Sequence, residues 1–262
     1  MSLSPNGRAA IVAIGLNTFR EAIRDRVLYL LLAFALIMIA VSRLLSLLTV
    51  GDEEKIVKDV GLAAISLFGV MTAVFVGVSL VFKEIERRTV YTLLAQPIRR
   101  SHFLVGKFVG LFSVLALNVT LMSVGLFVVL WMRGESPLPL VPAITLILVE
   151  LLIITAFALL FSSLTNPVLA ALWTFVAYVA GHLSWSLLML KDKLEGGLSQ
   201  IVCDVVYWAL PNLDRLNVKA QVVHGQALPD GYVLYAGLYG VAYAAAILVL
   251  ATLAFGRKEF VN

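Results

Sequence analysis

Six apolar stretches, each near the length needed to cross a bilayer, constrain this chain more than any other feature. They run over 27–48, 58–82, 103–132, 140–162, 167–190 and 231–255. A helix rises about 1.5 Å per residue, so about 20 apolar residues cover ~30 Å of hydrocarbon. Composition excludes the water-soluble alternative. Hydrophobic residues make up 61% of the chain, charged residues only 14%, and the mean hydropathy is +0.99. A soluble domain carries about 25% charge. The expectation is an all-α polytopic membrane protein of six transmembrane helices, forming a single domain over 1–262. Cys203 is the only cysteine, which rules out an intramolecular disulfide and a cysteine-ligated metal cluster. No internal repeat stands out.

Residues 8–26 precede the first span and read as an amphipathic helix. Val12, Leu16, Phe19, Ile23 and Val27 recur on one side, and Asn17, Arg20, Glu21, Arg24 and Asp25 fall largely on the rest. That pattern suits a helix lying in the membrane interface, its basic side chains among lipid headgroups. The alternative is a polar extension of the first span. The N-terminal region lacks the apolar core and small-residue site of a cleaved signal peptide, so the first span is expected to be an uncleaved anchor.

Lys and Arg placement orients the spans. With the N-terminus in the cytoplasm, the inner segments hold Arg8, Arg20, Arg24, Arg26, Lys83, Arg87, Arg88, Arg99, Arg100, Lys107, Arg257 and Lys258, against only the acids Glu21, Asp25, Glu84, Glu86 and Glu259. Both termini and the connector 83–102 are therefore expected on the cytoplasmic side of the membrane.

That connector reads KEIERRTVYTLLAQPIRRSH. A positive-inside anchor accounts for its basic residues but not for Glu84, Glu86 or the short apolar helical turn over 89–95 ended by Gln96 and Pro97. A charged start, an apolar face with Val90, Leu93 and Leu94, and a proline stop together describe a docking element.

Glu84, Glu86, Arg87, Arg88, Thr89, Leu93, Leu94, Pro97, Arg100, Phe103, Gly106 and Lys107 together form a pattern that resembles the cytoplasmic loop of type-2 ABC transporter permeases. The interfacial helix, the six spans, the long external segment before the last span and the basic C-terminus are similar to that family too. The phrase ALPNLDRLN at 209–217 is similar to a subgroup that includes the permease accompanying nitrous oxide reductase maturation. The resemblance implies the permease subunit of an ATP-driven exporter, a homodimer (or a heterodimer with a related permease) that binds two cytoplasmic ABC ATPase subunits. It implies that residues Glu84 to Arg100 of the loop couple ATPase closure to the spans. It also implies that ATP and Mg bind the ATPase, with no cofactor on this chain. The sequence itself has no G-x-x-x-x-G-K-[ST] phosphate loop, so ATP hydrolysis is expected on a separate chain. Membrane lipids are further expected partners, and nucleic acid is not.

Within the spans, Arg43, Glu150 and His182 stand out, because a mid-bilayer charge costs about 2.5–3.5 kcal/mol. Counted from the outer ends of their spans, they lie at depths of roughly 10, 15 and 12 Å. One reading joins them in a polar cluster in the outer half of the translocation route or its gate. The other satisfies each separately: Arg43 at the headgroups, Glu150 protonated against a hydroxyl, His182 as a packed neutral ring. Small residues recur as Gly69, Ala73, Gly77 and as Ala236, Gly240, Ala244, a spacing that permits close helix approach. Internal packing is the expected use.

Residues 191–230 form the longest external stretch. An apolar segment over 198–210 is too short to cross. After Pro211, residues 212–223 are expected to form a second short helix ending at Gly225. The pair would be a helical hairpin in the outer interface, an external gate by resemblance or a plain amphipathic linker. A periplasmic partner could touch it.

Two other function classes compete with this one. A membrane-embedded enzyme lacks support, since H-E-x-x-H, G-x-S-x-G and paired-Asp motifs are absent from the spans. His102, His182 and His224 sit at different expected depths, so neither a shared metal site nor catalytic residues are expected. A non-transporting assembly or anchoring subunit could keep the same fold and docking loop.

Overall fold

The structure is a computed structural model that describes residues 5–46, 53–86, 100–184 and 210–257. Every regular element among them is helical. In chain order these are α1 (Pro5–Ile23), α2 (Arg26–Ser46), α3 (Glu53–Glu86), α4 (Arg100–Trp131), α5 (Val141–Leu164), α6 (Pro167–His182), α7 (Lys219–Val223) and α8 (Tyr232–Arg257), with 3-10 turns at Leu138–Leu140 and Leu213–Leu216. Among the described residues, four helices are long and apolar enough to cross a membrane: α3, α4, α5 with its preceding turn, and α8. The α1–α2 pair makes a fifth when taken as one bent span. Helix α6 is apolar but has 16 residues, and its expected continuation to 190 lies outside the described residues. A polytopic membrane protein stands on these helices, while six spans remain the expectation from the sequence.

The expected helix 8–26 ends earlier, at Ile23, and turns by 62° into α2. The cause is local. The Asp25 Oδ1 accepts the Val27 N–H at 2.9 Å, so this carboxylate caps the start of α2 and cannot continue α1. At the other expected tight turn, Asn166 Oδ1 accepts the Leu169 N–H at 2.9 Å and Pro167 opens α6, a pairing suited to a helix start.

Helix α5 is the axis. It is apolar on all sides, and such a helix is stable only when surrounded. It packs against α8, α3, α6 and α4 and is buried from Ile153 through Leu159 without interruption. Both small-residue stripes face it. A β-carbon added at Gly69 would lie 2.8 Å from Leu151 Cδ1, and one at Gly77 would lie 3.4 Å from Ala158 Cβ. Gly240 sits against Val149, between buried Ala236 and Ala244. These stripes thus serve internal packing, as their spacing suggested.

Helix α1 is docked on α4 rather than standing alone. A β-carbon on Gly110 would lie 2.5 Å from the Gly15 carbonyl oxygen and 2.6 Å from Thr18 Cβ; one on Gly106 would lie 2.8 Å from Ile14 Cβ. The buried face of α1 is Ile14, Thr18 and Ala22, while Val12 and Leu16 are more than half exposed. The helix therefore has a small-residue face for α4 and a bulkier apolar face for lipid. Phe103 stacks on Phe255 at 5.9 Å. Together with Ile14, Ala22, Leu104 and Leu111 these rings belong to a second core, which joins α1, the start of α4 and the end of α8.

Candidate functional site

The polar groups of the spans are brought together by the α5–α6 hairpin. Glu150 lies about fourteen residues before the turn at 165–166, and His182 about fifteen after it, so antiparallel helices of equal rise set them level, roughly 21 Å from the turn. His182 Nε2 and Glu150 Oε1 are 2.6 Å apart. Because α5 is surrounded, the Glu150 side chain cannot reach water and is only 1% exposed; the His182 side chain is 20% exposed. The second carboxyl oxygen of Glu150, Oε2, is buried with no hydrogen-bond partner among the described residues. Tyr178, one turn before His182, meets the imidazole edge-to-face at 4.7 Å.

Of the three intramembrane candidates, the structure joins two. Arg43 lies in α2, which packs on α3 and α4, and its side chain lies outside the described residues. A second buried polar contact went unread in the sequence. Asn118 Nδ2 donates to Thr72 Oγ1 at 3.2 Å, between α4 and α3, while the Thr72 hydroxyl donates to the Phe68 carbonyl. Asn and Thr are common enough in spans that neither residue stands out without its partner. The space beside Thr72, Gly77 and Thr155 is a cavity of about 10 Å³, room for at most a water.

Over the Glu150–His182 pair sits the end of the segment 191–230. Leu213 and Leu216 are fully buried. A β-carbon on Gly181 would lie 2.7 Å from Leu213 Cδ1 and 3.0 Å from the Pro211 carbonyl, and Leu216 reaches the Gly240–Val149 contact. The Tyr239 hydroxyl accepts the Asn212 N–H at 2.9 Å, and the Tyr232 hydroxyl donates to the Arg215 carbonyl at 2.9 Å. The expected second helix over 212–223 is two shorter pieces broken at Asn217 and Val218. They pack inward on α3, α5 and α6. The first half of the expected hairpin lies outside the described residues.

At the ends of α3 and α4 remote from the connector 83–102, Arg133 pairs with Glu53 at 2.7 Å and with Glu135 at 3.5 Å. Lys58 pairs with Glu54, and with Glu135 at 3.9 Å. This clasp also escaped the sequence reading, because its charges belong to two connectors distant in the chain.

The connector itself has only its flanks in view. Glu84 and Glu86 lie in the last turn of α3 and Arg100 opens α4, with side chains outside the described residues. Arg87, Arg88, Thr89, Leu93, Leu94 and Pro97 also lie outside them. The two helices that carry it have 34 and 32 residues, about 50 Å each at 1.5 Å per residue and well beyond the ~30 Å of hydrocarbon.

The architecture that emerges is an apolar helical bundle with a buried polar pair, the end of the segment 191–230 packed inward on it, and two overlong helices leading to a charged connector. No curated protein is similar to the chain at a significant level. A family model described as ABC-2 family transporter protein matches residues 12–260, nearly the whole chain. By that match, and by its apolar helices, the chain belongs to the ABC-2 transporter family as a multi-pass, non-catalytic membrane permease.

Proposed function

We propose that the chain is the permease subunit of an ATP-driven exporter in a bacterial plasma membrane. Two copies, or one copy with a related permease, bind separate cytoplasmic ABC ATPases through residues 83–102, and both termini face the cytosol. The family match over 12–260 carries this reading. The overlong α3 and α4 support the connector's role. Helices that overrun the hydrocarbon by about 20 Å in total can carry a charged segment out through the headgroup layer. The second core supports it further. A push on the start of α4 reaches α1 through Gly106 and Gly110 and reaches α8 through Phe103 and Phe255, so three elements move together, as a rigid-body transition requires. Glu84, Glu86, Arg87 and Arg88 set the docking register by charge, and Leu93 and Leu94 fill a groove on the ATPase. The Glu150–His182 pair and the external segment packed above it form the outer gate.

The test has two parts. In a Cys203→Ser background, a cysteine placed at Thr89 is labelled by a membrane-impermeant thiol reagent only after the cytosolic face is opened. Co-expressed with a candidate ABC ATPase subunit, the wild-type permease co-purifies with that subunit, and Glu86→Ala loses the association. Labelling of intact cells at Thr89 refutes the topology. Unchanged ATPase capture by Glu86→Ala refutes the docking role.

A further inference from the structure

The charge clasp at the ends of α3 and α4 remote from the connector holds two helix ends in register. Its five charges alternate in sign along one chain: Glu53, Arg133, Glu135, Lys58, Glu54. Glu135 is the middle link, shared by Arg133 at 3.5 Å and Lys58 at 3.9 Å. The turn that ends α4 fixes it in place. Gly134 takes a φ of +76°, the left-handed conformation that closes a helix. The Gly134 N–H donates to the Trp131 carbonyl and the Glu135 N–H to the Leu130 carbonyl. The Lys58, Arg133 and Glu135 side chains are largely buried, so salt screens their contacts less than those of free surface pairs. Such pairs add little to stability, but a chain of them sets position. Two further ties join the same helices. A β-carbon on Gly61 would run into Leu126, about 12 Å along α3 from Glu53. Asn118 donates to Thr72, about 28 Å along it.

Toward the connector the two helices change partners. Val78 of α3 packs with Ala158 of α5 and Ala170 of α6. Phe103 and Leu104 of α4 pack with Ile14 of α1 and Phe255 of α8, and Gly106 and Gly110 seat α1. At this end the α3 leg belongs to the α5–α6 hairpin and the α4 leg to α1 and α8, while the remote ends belong to each other. We infer that the clasp is the pivot of the α3–α4 hairpin: the legs stay tied there and change their separation at the connector. The geometry amplifies a small swing. Phe82 lies ~43 Å along α3 from Glu53, so an opening of about 5° about the clasp moves it by about 4 Å. A pivot at mid-membrane would instead part the remote ends and break the Arg133–Glu53 and Lys58–Glu135 contacts in every cycle. The inference takes its driving force from the ATPase docking proposed above, but the pivot itself is a property of this chain.

In a Cys203→Ser background, spin labels are placed near the clasp (Lys55→Cys with Trp131→Cys) or near the connector (Phe82→Cys with Ser101→Cys). Labelled chains are diluted in unlabelled ones, and distances are read by electron paramagnetic resonance. In the purified chain without nucleotide, the clasp pair gives a narrow distance distribution and the connector pair a broader one. Arg133→Gln with Glu135→Gln broadens the clasp pair, while circular dichroism shows the helices kept. With the ATPase subunit and ATP added, the connector pair shifts by about 4 Å and the clasp pair stays in place. Joined by a short thiol-to-thiol linker, Glu53→Cys with Arg133→Cys keeps ATP-coupled export, and Phe82→Cys with Ser101→Cys loses it. A clasp pair as broad as the connector pair without nucleotide, or one that shifts as far with ATP, overturns the pivot. So does a clasp distribution unchanged by the double variant. If neither pair responds to ATP while the nucleotide-free contrast holds, the ATPase docking fails and the pivot stands.

Discussion

A double-mutant cycle on Glu150 and His182 tests whether the buried pair is an interaction or a coincidence of packing. Replacing His182 with leucine leaves the Glu150 carboxyl at 1% exposure with Oε1 stripped of its contact and Oε2 already unpartnered among the described residues. Breaking a buried pair by removing one member costs about 3–5 kcal/mol. The His182 side chain is 20% exposed, so some water reaches the vacated side and the low end applies. About 3 kcal/mol is roughly a hundredfold in the folding equilibrium. Glu150→Leu is milder. It removes the deeply buried group and leaves an imidazole that can rehydrate at its exposed edge, a loss of about 1 kcal/mol. The Leu/Leu double variant matches Glu150→Leu, because replacing both members of a buried pair by apolar residues is close to neutral. The expected coupling is therefore about 3 kcal/mol. Reversible unfolding of all four proteins in mixed micelles of increasing SDS content measures it. If the two single losses add up to the double loss within about 0.5 kcal/mol, the sites are independent, and the short Nε2–Oε1 separation has no energetic meaning.

Four further outcomes follow from other parts of the fold. Gly110→Val drives a side chain into the Gly15 carbonyl and Thr18 and lowers stability by about 1–3 kcal/mol; the same unfolding assay reads it, and α1 becomes the first segment cut in limited proteolysis. Arg133→Ala loses the contacts to Glu53 and Glu135, but the Glu53 side chain is 44% exposed, so the loss is about 1 kcal/mol or less and shrinks with added salt. Gly225→Ala meets open space but keeps a φ of +66°, and the left-handed conformation alone costs about 1–2 kcal/mol in the same denaturation series. Glu150→Gln and His182→Ala, at normal expression, are expected to impair ATP-coupled export in vesicles, and wild-type transport by both would remove the pair from the gate.

The sequence disclosed depth along the helices better than direction around them. Apolar run lengths placed α3, α4, α5 and α8 within a few residues, because the bilayer imposes one dimension on every span. The same rule set Glu150 and His182 at similar depths, but whether they face each other depends on helix rotation, and α5, apolar on all sides, carries no amphipathic signal to fix it. Their pairing was nevertheless recoverable from the short turn at Asn166 and Pro167, since a tight antiparallel hairpin of equal arms makes residues equidistant from the turn neighbours. The docking of α1 on α4 was beyond such reasoning. Val12 and Leu16 form the more conspicuous apolar face, and they are the exposed ones. The contact is made instead by Gly15, Gly106 and Gly110, residues whose value lies in having no side chain and which a hydrophobic pattern therefore cannot register. Arg133 and Glu135 escaped for a related reason. Each is an unremarkable loop charge on its own, and only the return of α4 beside the start of α3 puts them in one chain with Glu53 and Lys58. Where the bilayer supplies the constraint the linear sequence is readable, and where two distant segments supply it to each other the meaning of a residue is set by its partner.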